Sequence, residues 1–250
     1  MINMFPKRNL ALEYHENSKE LPRNLPFNPK IQYKIYPSAP NIELTTITLD
    51  KQIEANEFVK ILLSRKSTRN FKQDGINLKE LSQLLPLSFG LRNQNSSSDI
   101  FRTYASAGAR YPIEVYPVVL RSNDMELGIY HYNVVDNALE FIKSGDYSQK
   151  IYGFYEDQQF VSSAPCIIFF SMVFERTMQK YGERGYRFIY LDAGHMSQNL
   201  YLMAEYLGLG VVALGAGMKS DDKIDNLIGL THTIENTFLG FAVGLPGIVE

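Results

Sequence analysis

The stretch from 113 to 143, IEVYPVVLRSNDMELGIYHYNVVDNALEFIK, decides the fold. Three runs rich in β-branched and aromatic residues follow one another here: Ile113 to Leu120, Leu127 to Tyr132 and Ala138 to Lys143. Asp136-Asn137 lies in the short loop between the last two, and such residues tolerate tight turns, so these two runs read as a hairpin. Pro117 lacks a backbone donor, which predicts an edge position or a bulge for the first run.

The flanking segments extend the same pattern. Cys166–Val173 is a continuous apolar run and reads as a buried strand. Val211–Leu214 and Thr237–Val243 are further strands. A helical pattern runs from about Gly185 to Leu207 and stops at Gly208 and Gly210. Residues 51–64 read as a helix with Phe58 and Leu62 on its apolar face. Asn77 can cap the next helix, with Glu80 placed to close a capping box. Leu78, Leu81 and Leu85 share one face of that helix, and Gly90 ends it. Ser220 can cap a helix whose first turn holds Asp221 and Asp222. Helices and strands mix without regular βαβ alternation, which favours α+β over a doubly wound sheet.

Residues 1–50 differ from the rest. Pro6, Pro22, Pro26, Pro29, Pro37 and Pro40 predict an extended arm, with Tyr14, Phe27, Tyr33 and Tyr36 available to pin it to a surface. The compact part is expected over 51–250. Ser96-Ser97-Ser98 marks a loop.

Composition narrows the function classes. A chain of 250 residues, 45% hydrophobic and 21% charged, can bury a full core. A net charge of −2 gives no pull toward nucleic acid or an anionic membrane. Cys166 is the sole cysteine, so no intrachain disulfide can form. No cationic apolar leader and no run of about 18 apolar residues is present, so a cytoplasmic protein is expected. Dispersed histidines argue against a structural zinc site, and no metal is expected.

Four segments could carry chemistry. In Arg65-Lys66-Ser67-Thr68-Arg69, an extended backbone puts Arg65, Ser67 and Arg69 on one face, where two guanidiniums and a hydroxyl suit a phosphate. A solvated basic turn is the plainer reading of that motif taken alone. Ser106-Ala107-Gly108-Ala109-Arg110-Tyr111-Pro112 puts small residues before a strand, so backbone can approach a flat ligand; taken alone, an ordinary tight turn is the plainer reading. Gly215-Ala216-Gly217 could offer backbone N–H groups to ring heteroatoms, but it lacks dinucleotide-fingerprint spacing. Lys180-Tyr181 pairs an amine with a phenol, and a desolvated amine can act as a base. Asp192 and His195 share a helical face and read as a hydrogen-bonded structural link.

Taken in order, these pieces resemble the SagB/ThcOx-type dehydrogenases of the nitroreductase-like FMN flavoprotein superfamily. The resemblance rests on YHENSK (14–19), YKIYP (33–37), RKSTR (65–69), SAGARYP (106–112), GIYHY (128–132), KYGERGYR (180–187), LDAGHMSQNLYLMAEYLGLG (191–210) and FAVG (241–244). It implies a nitroreductase-like α+β fold, with a central mainly antiparallel sheet flanked by helices and FMN at a homodimer interface. It implies that Arg65, Ser67 and Arg69 face the FMN phosphate and ribityl chain, that Ser106, Ala107 and Gly108 lie along the flavin ring, and that Gly217 offers its N–H near flavin N5. The catalytic pair implied is Lys180 and Tyr181. The implied reaction oxidises a thiazoline or oxazoline in a ribosomal precursor peptide to a thiazole or oxazole, with a cyclodehydratase complex as partner. Other readings are an oxidase of carrier-bound azolines, an NAD(P)H-linked nitroreductase or flavin reductase, and a non-catalytic scaffold. Related nitroreductases often add a basic residue near the C-terminus; the tail LPGIVE has none.

Overall fold

The computed structural model describes residues 9–19, 34, 36–40, 42, 55–93, 101–155, 158–215, 221–232 and 234–247. One six-stranded sheet organises them. In chain order its strands are β1 (Ile113–Val119), β2 (Gly128–Asn133), β3 (Ala138–Ser144), β4 (Cys166–Val173), β5 (Gly210–Leu214) and β6 (Glu235–Gly244). The spatial order is β3-β2-β1-β4-β6-β5 and every neighbouring pair is antiparallel. The α+β expectation therefore holds, and the hairpin forms as read, with Asn137 at φ 49 in its turn.

β4 explains its own apolar run. Cys166, Ile168, Phe170 and Met172 enter one core cluster, while Ile167 and Phe169 enter the other. Strand side chains alternate faces, so a strand covered on both sides is apolar throughout. Helices α3 (Leu78–Phe89), α5 (Phe174–Tyr181) and α6 (Gly185–Tyr206) cover the first face, and α4 (Ser148–Phe154) and α7 (Asp221–Ile228) cover the second. The Cys166 thiol is fully buried, and burial pushes it up to about 12.

Three expectations need correction. β1 is an interior strand, not an edge; its ladder with β2 runs through Val118 and Val119 and stops at Pro117, where the missing donor is tolerated. The helix read over 51–64 is described as α2 (Glu57–Ser64), with residues 51–54 outside the described set, and its apolar face is not core. Phe58, Leu62 and Leu63 are 58%, 47% and 69% exposed, and Ile61 alone is buried. Within the N-terminal segment, Leu10–Ser18 forms helix α1 instead of extended backbone. No proline falls between Pro6 and Pro22, and Asn9 caps the helix by accepting from Leu12 N. The α1 helix docks: Ala11 N donates to Glu183 Oε2 at 2.7 Å, and His15 is buried against Tyr186.

The helix ends follow the sequence closely. Asn77 and Glu80 form a reciprocal capping box, each side chain accepting the other's backbone N–H at 2.8 Å. Ser96-Ser97-Ser98, Gly217 and Ser220 lie outside the described residues.

Candidate active site

α6 is the post around which the site is built. Its residues Ile189, Ala193, Met196, Leu200 and Ala204 face the core. Beside that stripe runs a polar edge. Asp192 accepts from Ser106 Oγ at 2.5 Å and from Ala107 N at 3.1 Å. His195 Nδ1 meets Ala105 O at 2.9 Å, and Asn199 Nδ2 donates to Thr103 O at 3.1 Å. Positions 192, 195 and 199 recur at helical spacing, so one edge of the helix ties down the 103–107 backbone. Asp192 is buried, and burial pushes its carboxyl up against the pull of its Ser106 and Ala107 bonds. The polar residues of α6 thus form a satisfied network, as the sequence suggested.

That network presents a strained turn. Gly108, Ala109 and Tyr111 take φ of 61, 53 and 47. Left-handed backbone costs a non-glycine residue roughly 1–2 kcal/mol, so the turn persists because its surroundings over-determine it. Tyr111 N donates to Ser106 Oγ at 2.9 Å, and Tyr111 O accepts from Arg176 Nη1 at 3.0 Å. Lys180 and Tyr181, at the C-terminal end of α5, lean over Gly108. A Cβ on Gly108 would stand 2.5 Å from Tyr181 Oη and 2.7 Å from Lys180 Nζ, so the pair occupies the space that a side chain there would need. Lys180 Nζ lies 5.4 Å from the Tyr181 ring centroid, and Phe188 packs edge-on to that ring at 4.9 Å. The predicted catalytic pair and the predicted flavin-facing turn therefore meet in one protomer. Lys180 itself is exposed.

The Arg65–Arg69 segment lies on the other flank of α6. Ser67 bridges Val211 of β5, and Thr68 N donates to Val211 O at 2.9 Å. Arg65 stacks on the Tyr201 ring at 5.3 Å, and Ser67 Oγ lies 3.4 Å from Tyr201 Oη. Tyr201 Oη also accepts from Ala213 N at 2.8 Å, which fixes the ring. Arg69 is exposed. From Asp192 to Tyr201 is about two and a half turns and roughly 13 Å of helix, so the two residues project from opposite flanks. The recorded contacts of Arg65 and Ser67 are with Tyr201 and Val211, and none of them joins this segment to the Gly108 turn. Gly217 lies outside the described residues.

Sequence reading missed Tyr201, whose signal was one more aromatic on an apolar helix. It also missed a cluster beside the C-terminal end of α1, where Asp222, Asp225 and His232 offer ligand atoms within 4.8 Å of one another. Lys19 Nζ already pairs with Asp222 at 2.7 Å, and Asp225 accepts from Thr237 and Asn236.

Comparison with known proteins fits this architecture. The nitroreductase family model matches residues 62–245. The chain belongs to the nitroreductase family. It is 33% identical over 172 residues to the nitroreductase-type protein MJ1384 of Methanocaldococcus jannaschii, covering 68% of this chain and 85% of that one. It is 31% identical over 163 residues to the Escherichia coli microcin B17-processing protein McbC, covering 59% of this chain and 60% of McbC. It is 38% identical over 145 residues to the trifolitoxin-processing protein TfxB of Rhizobium leguminosarum bv. trifolii, covering 55% of this chain and 38% of TfxB. The matches thus span well under two thirds of both peptide-processing relatives. In structure, a chain of the E. coli microcin synthetase McbBCD complex, solved with truncated pro-MccB17 bound, covers 100% of this chain and 85% of its own length, with a TM-score of 0.67 and 23% identity. That likeness shows the fold.

The donor set suits a flavin mononucleotide. Arg65 with Ser67 offers charged and neutral donors for its phosphate, held in place by Tyr201.

Proposed function

We propose that this nitroreductase-family protein is an FMN-dependent dehydrogenase that converts thiazolines or oxazolines of a ribosomal precursor peptide to thiazoles or oxazoles. The observation that carries the reading is the convergence of Lys180 Nζ and Tyr181 Oη on Gly108. The similarity to McbC and TfxB supports it, since both are named for processing peptide natural products.

FMN, when bound, supplies the two-electron acceptor for the hydride that leaves Cβ of the azoline ring. The chain's own residues do the rest. Lys180 removes the Cα proton, which the ring C=N and the neighbouring carbonyl make acidic. Tyr181 holds the amine against the Gly108 turn. Asp192 fixes that turn through Ser106 and Ala107. Arg65, Ser67 and Arg69 hold the phosphate, with Gly217 beside the ring. A bound peptide covers Lys180 and excludes water from the reacting centre.

The two half-sites flank α6, so one flavin reaches both when a second copy supplies the missing half. The exposed Phe58, Leu62 and Leu63, with Leu191 59% exposed on α6, give a homodimer its apolar contact. The precursor peptide and a cyclodehydratase complex are the partners of this reading, supported by the fold of the McbBCD chain.

The direct test incubates an azoline peptide with the FMN-loaded protein and follows mass. Loss of two hydrogens per ring is expected. Unchanged mass with steady NAD(P)H consumption on a nitroarene would instead establish a nitroreductase, the reading that the MJ1384 similarity favours. A protein that takes up no flavin would leave the scaffold.

A further inference from the structure

A cleft opens beside the Gly108 turn, lined by Arg102, Arg110, Tyr111, Glu114, His131, Asn133, Val134, Val135, Glu140 and Arg176. Its charges divide unevenly. Glu114 is paired with both Arg176 and His131, and Glu140 with His131 at 2.8 Å and Asn133 at 2.7 Å. Both carboxylates are therefore engaged by their own neighbours, Glu114 by Arg176 and His131 and Glu140 by His131 and Asn133. Arg102 stacks on Tyr111 at 4.8 Å and donates to Tyr104 Oη at 3.3 Å, but neither it nor Arg110 forms an ion pair with a described residue. Two uncompensated guanidiniums thus look into a cleft whose acidic groups are spent.

The cleft shares Arg110, Tyr111 and Arg176 with the segments that carry the candidate active site. Arg110 follows Gly108 by two residues, so the two Cα atoms are at most about 7 Å apart. Arg176 precedes Lys180 by one helical turn on the same face of α5. Arg176 also clamps Tyr111 O, which joins the cleft wall to the turn under the catalytic pair.

We propose that Arg110 and Arg102 recognise a carboxylate of the substrate peptide, held within a few residues of the ring being oxidised. Guanidinium forks match carboxylates in geometry as well as charge. The inference rests on the azoline-peptide reading and names its substrate class: peptides with an acidic side chain, or a free C-terminus, close to the azoline.

The test uses FMN-loaded protein and thiazole hexapeptides labelled with an uncharged boron-dipyrromethene dye, which bind as product and do not turn over. Three carry the ring with a neighbouring Asp, with Asn in its place, or with Asn and a free instead of amidated C-terminus. Fluorescence anisotropy should show roughly tenfold tighter binding of a carboxylate-bearing peptide over the amidated Asn peptide at low salt, the free-acid arm telling side chain from terminus. Arg110→Glu should invert the preference and Arg102→Gln should weaken it; Arg110 is exposed, and retained flavin absorbance with an unchanged melting temperature verifies folding. Equal binding of all three peptides to the wild type overturns the proposal, as does a preference that survives Arg110→Glu. Arg110-dependent binding of phosphopantetheine with none of the acidic peptides also overturns it, in favour of a carrier-bound substrate. Anisotropy reads binding and mass reads oxidation, so a preference without dehydrogenation sinks the azoline reading while dehydrogenation without a preference sinks the cleft.

Discussion

At residue scale, Gly108 sets the geometry. It takes φ 61 and leaves the space that Lys180 and Tyr181 fill. Gly108→Ala adds left-handed strain of about 1 kcal/mol and pushes the amine and phenol aside. The expected outcome is retained FMN absorbance with kcat on an azoline peptide reduced at least about tenfold; wild-type kcat would show that the pair does not work from this position. Lys180→Ala should keep FMN and lose roughly 10²–10⁴ in rate, the usual worth of a positioned base, as read by the hydrogen-loss assay. The sequence made these residues visible because motif order joined them. It could not show that Asp192 holds the Ser106 turn or that Tyr201 orders Ser67, because both depend on segments far apart in the chain meeting on one helix.

At element scale, local chemistry was legible wherever it was self-contained. The Asn77–Glu80 box, the 136–137 hairpin turn and the two-faced apolar β4 strand each satisfy rules that need no distant partner. Asn77→Ala removes one side-chain cap, and chemical denaturation should show a loss of about 1 kcal/mol; Asp124, which also accepts from Leu78 N, limits the loss. The failures have physical causes. Pro117 signalled an edge, but a single missing donor costs little where one ladder has already stopped. Residues 10–18 sat between prolines and were read with them, although a proline-free span of that length is enough for a capped helix. The apolar face of α2 is legible as a face, but periodicity does not say what that face packs against.

At the scale of the whole molecule, the proposed homodimer rests on the exposed α2 face and on the proposal that a second copy completes the flavin site. Leu62→Glu or Leu191→Glu should give a monomer by light scattering and weaken FMN retention together. A wild-type monomer that holds FMN tightly would refute the shared site. The sheet's β1–β3 side is also clasped by charge. His131 is held protonated above its ordinary 6.5 chiefly by Glu114, with Glu140 adding to it. Burial alone would raise Glu114, but His131 and Arg176 override it and hold it below its ordinary 4.5. Arg176 and the Tyr116 ring, 5.1 Å from the imidazole, complete the surroundings. A raised histidine stabilises fully below its unfolded value and loses that contribution as pH rises through its folded value. A depressed carboxyl stabilises above its unfolded value and loses it as pH falls. The clasp is therefore fullest between about pH 4.5 and 6.5. Urea denaturation should show the stability gap between wild type and His131→Gln largest there and shrinking toward alkaline pH; a gap independent of pH would sink the assignment.

The buried Cys166 has a practical consequence. Its sulfur sits in the central strand with no exposed surface and a thiol held up to about 12, so a thiol-reactive dye cannot reach or ionise it while the sheet is intact. As the chain's single thiol, it turns the labelling rate into a clock for opening of the sheet. The same dye can then report how strongly FMN, a peptide or a second copy keeps that sheet closed.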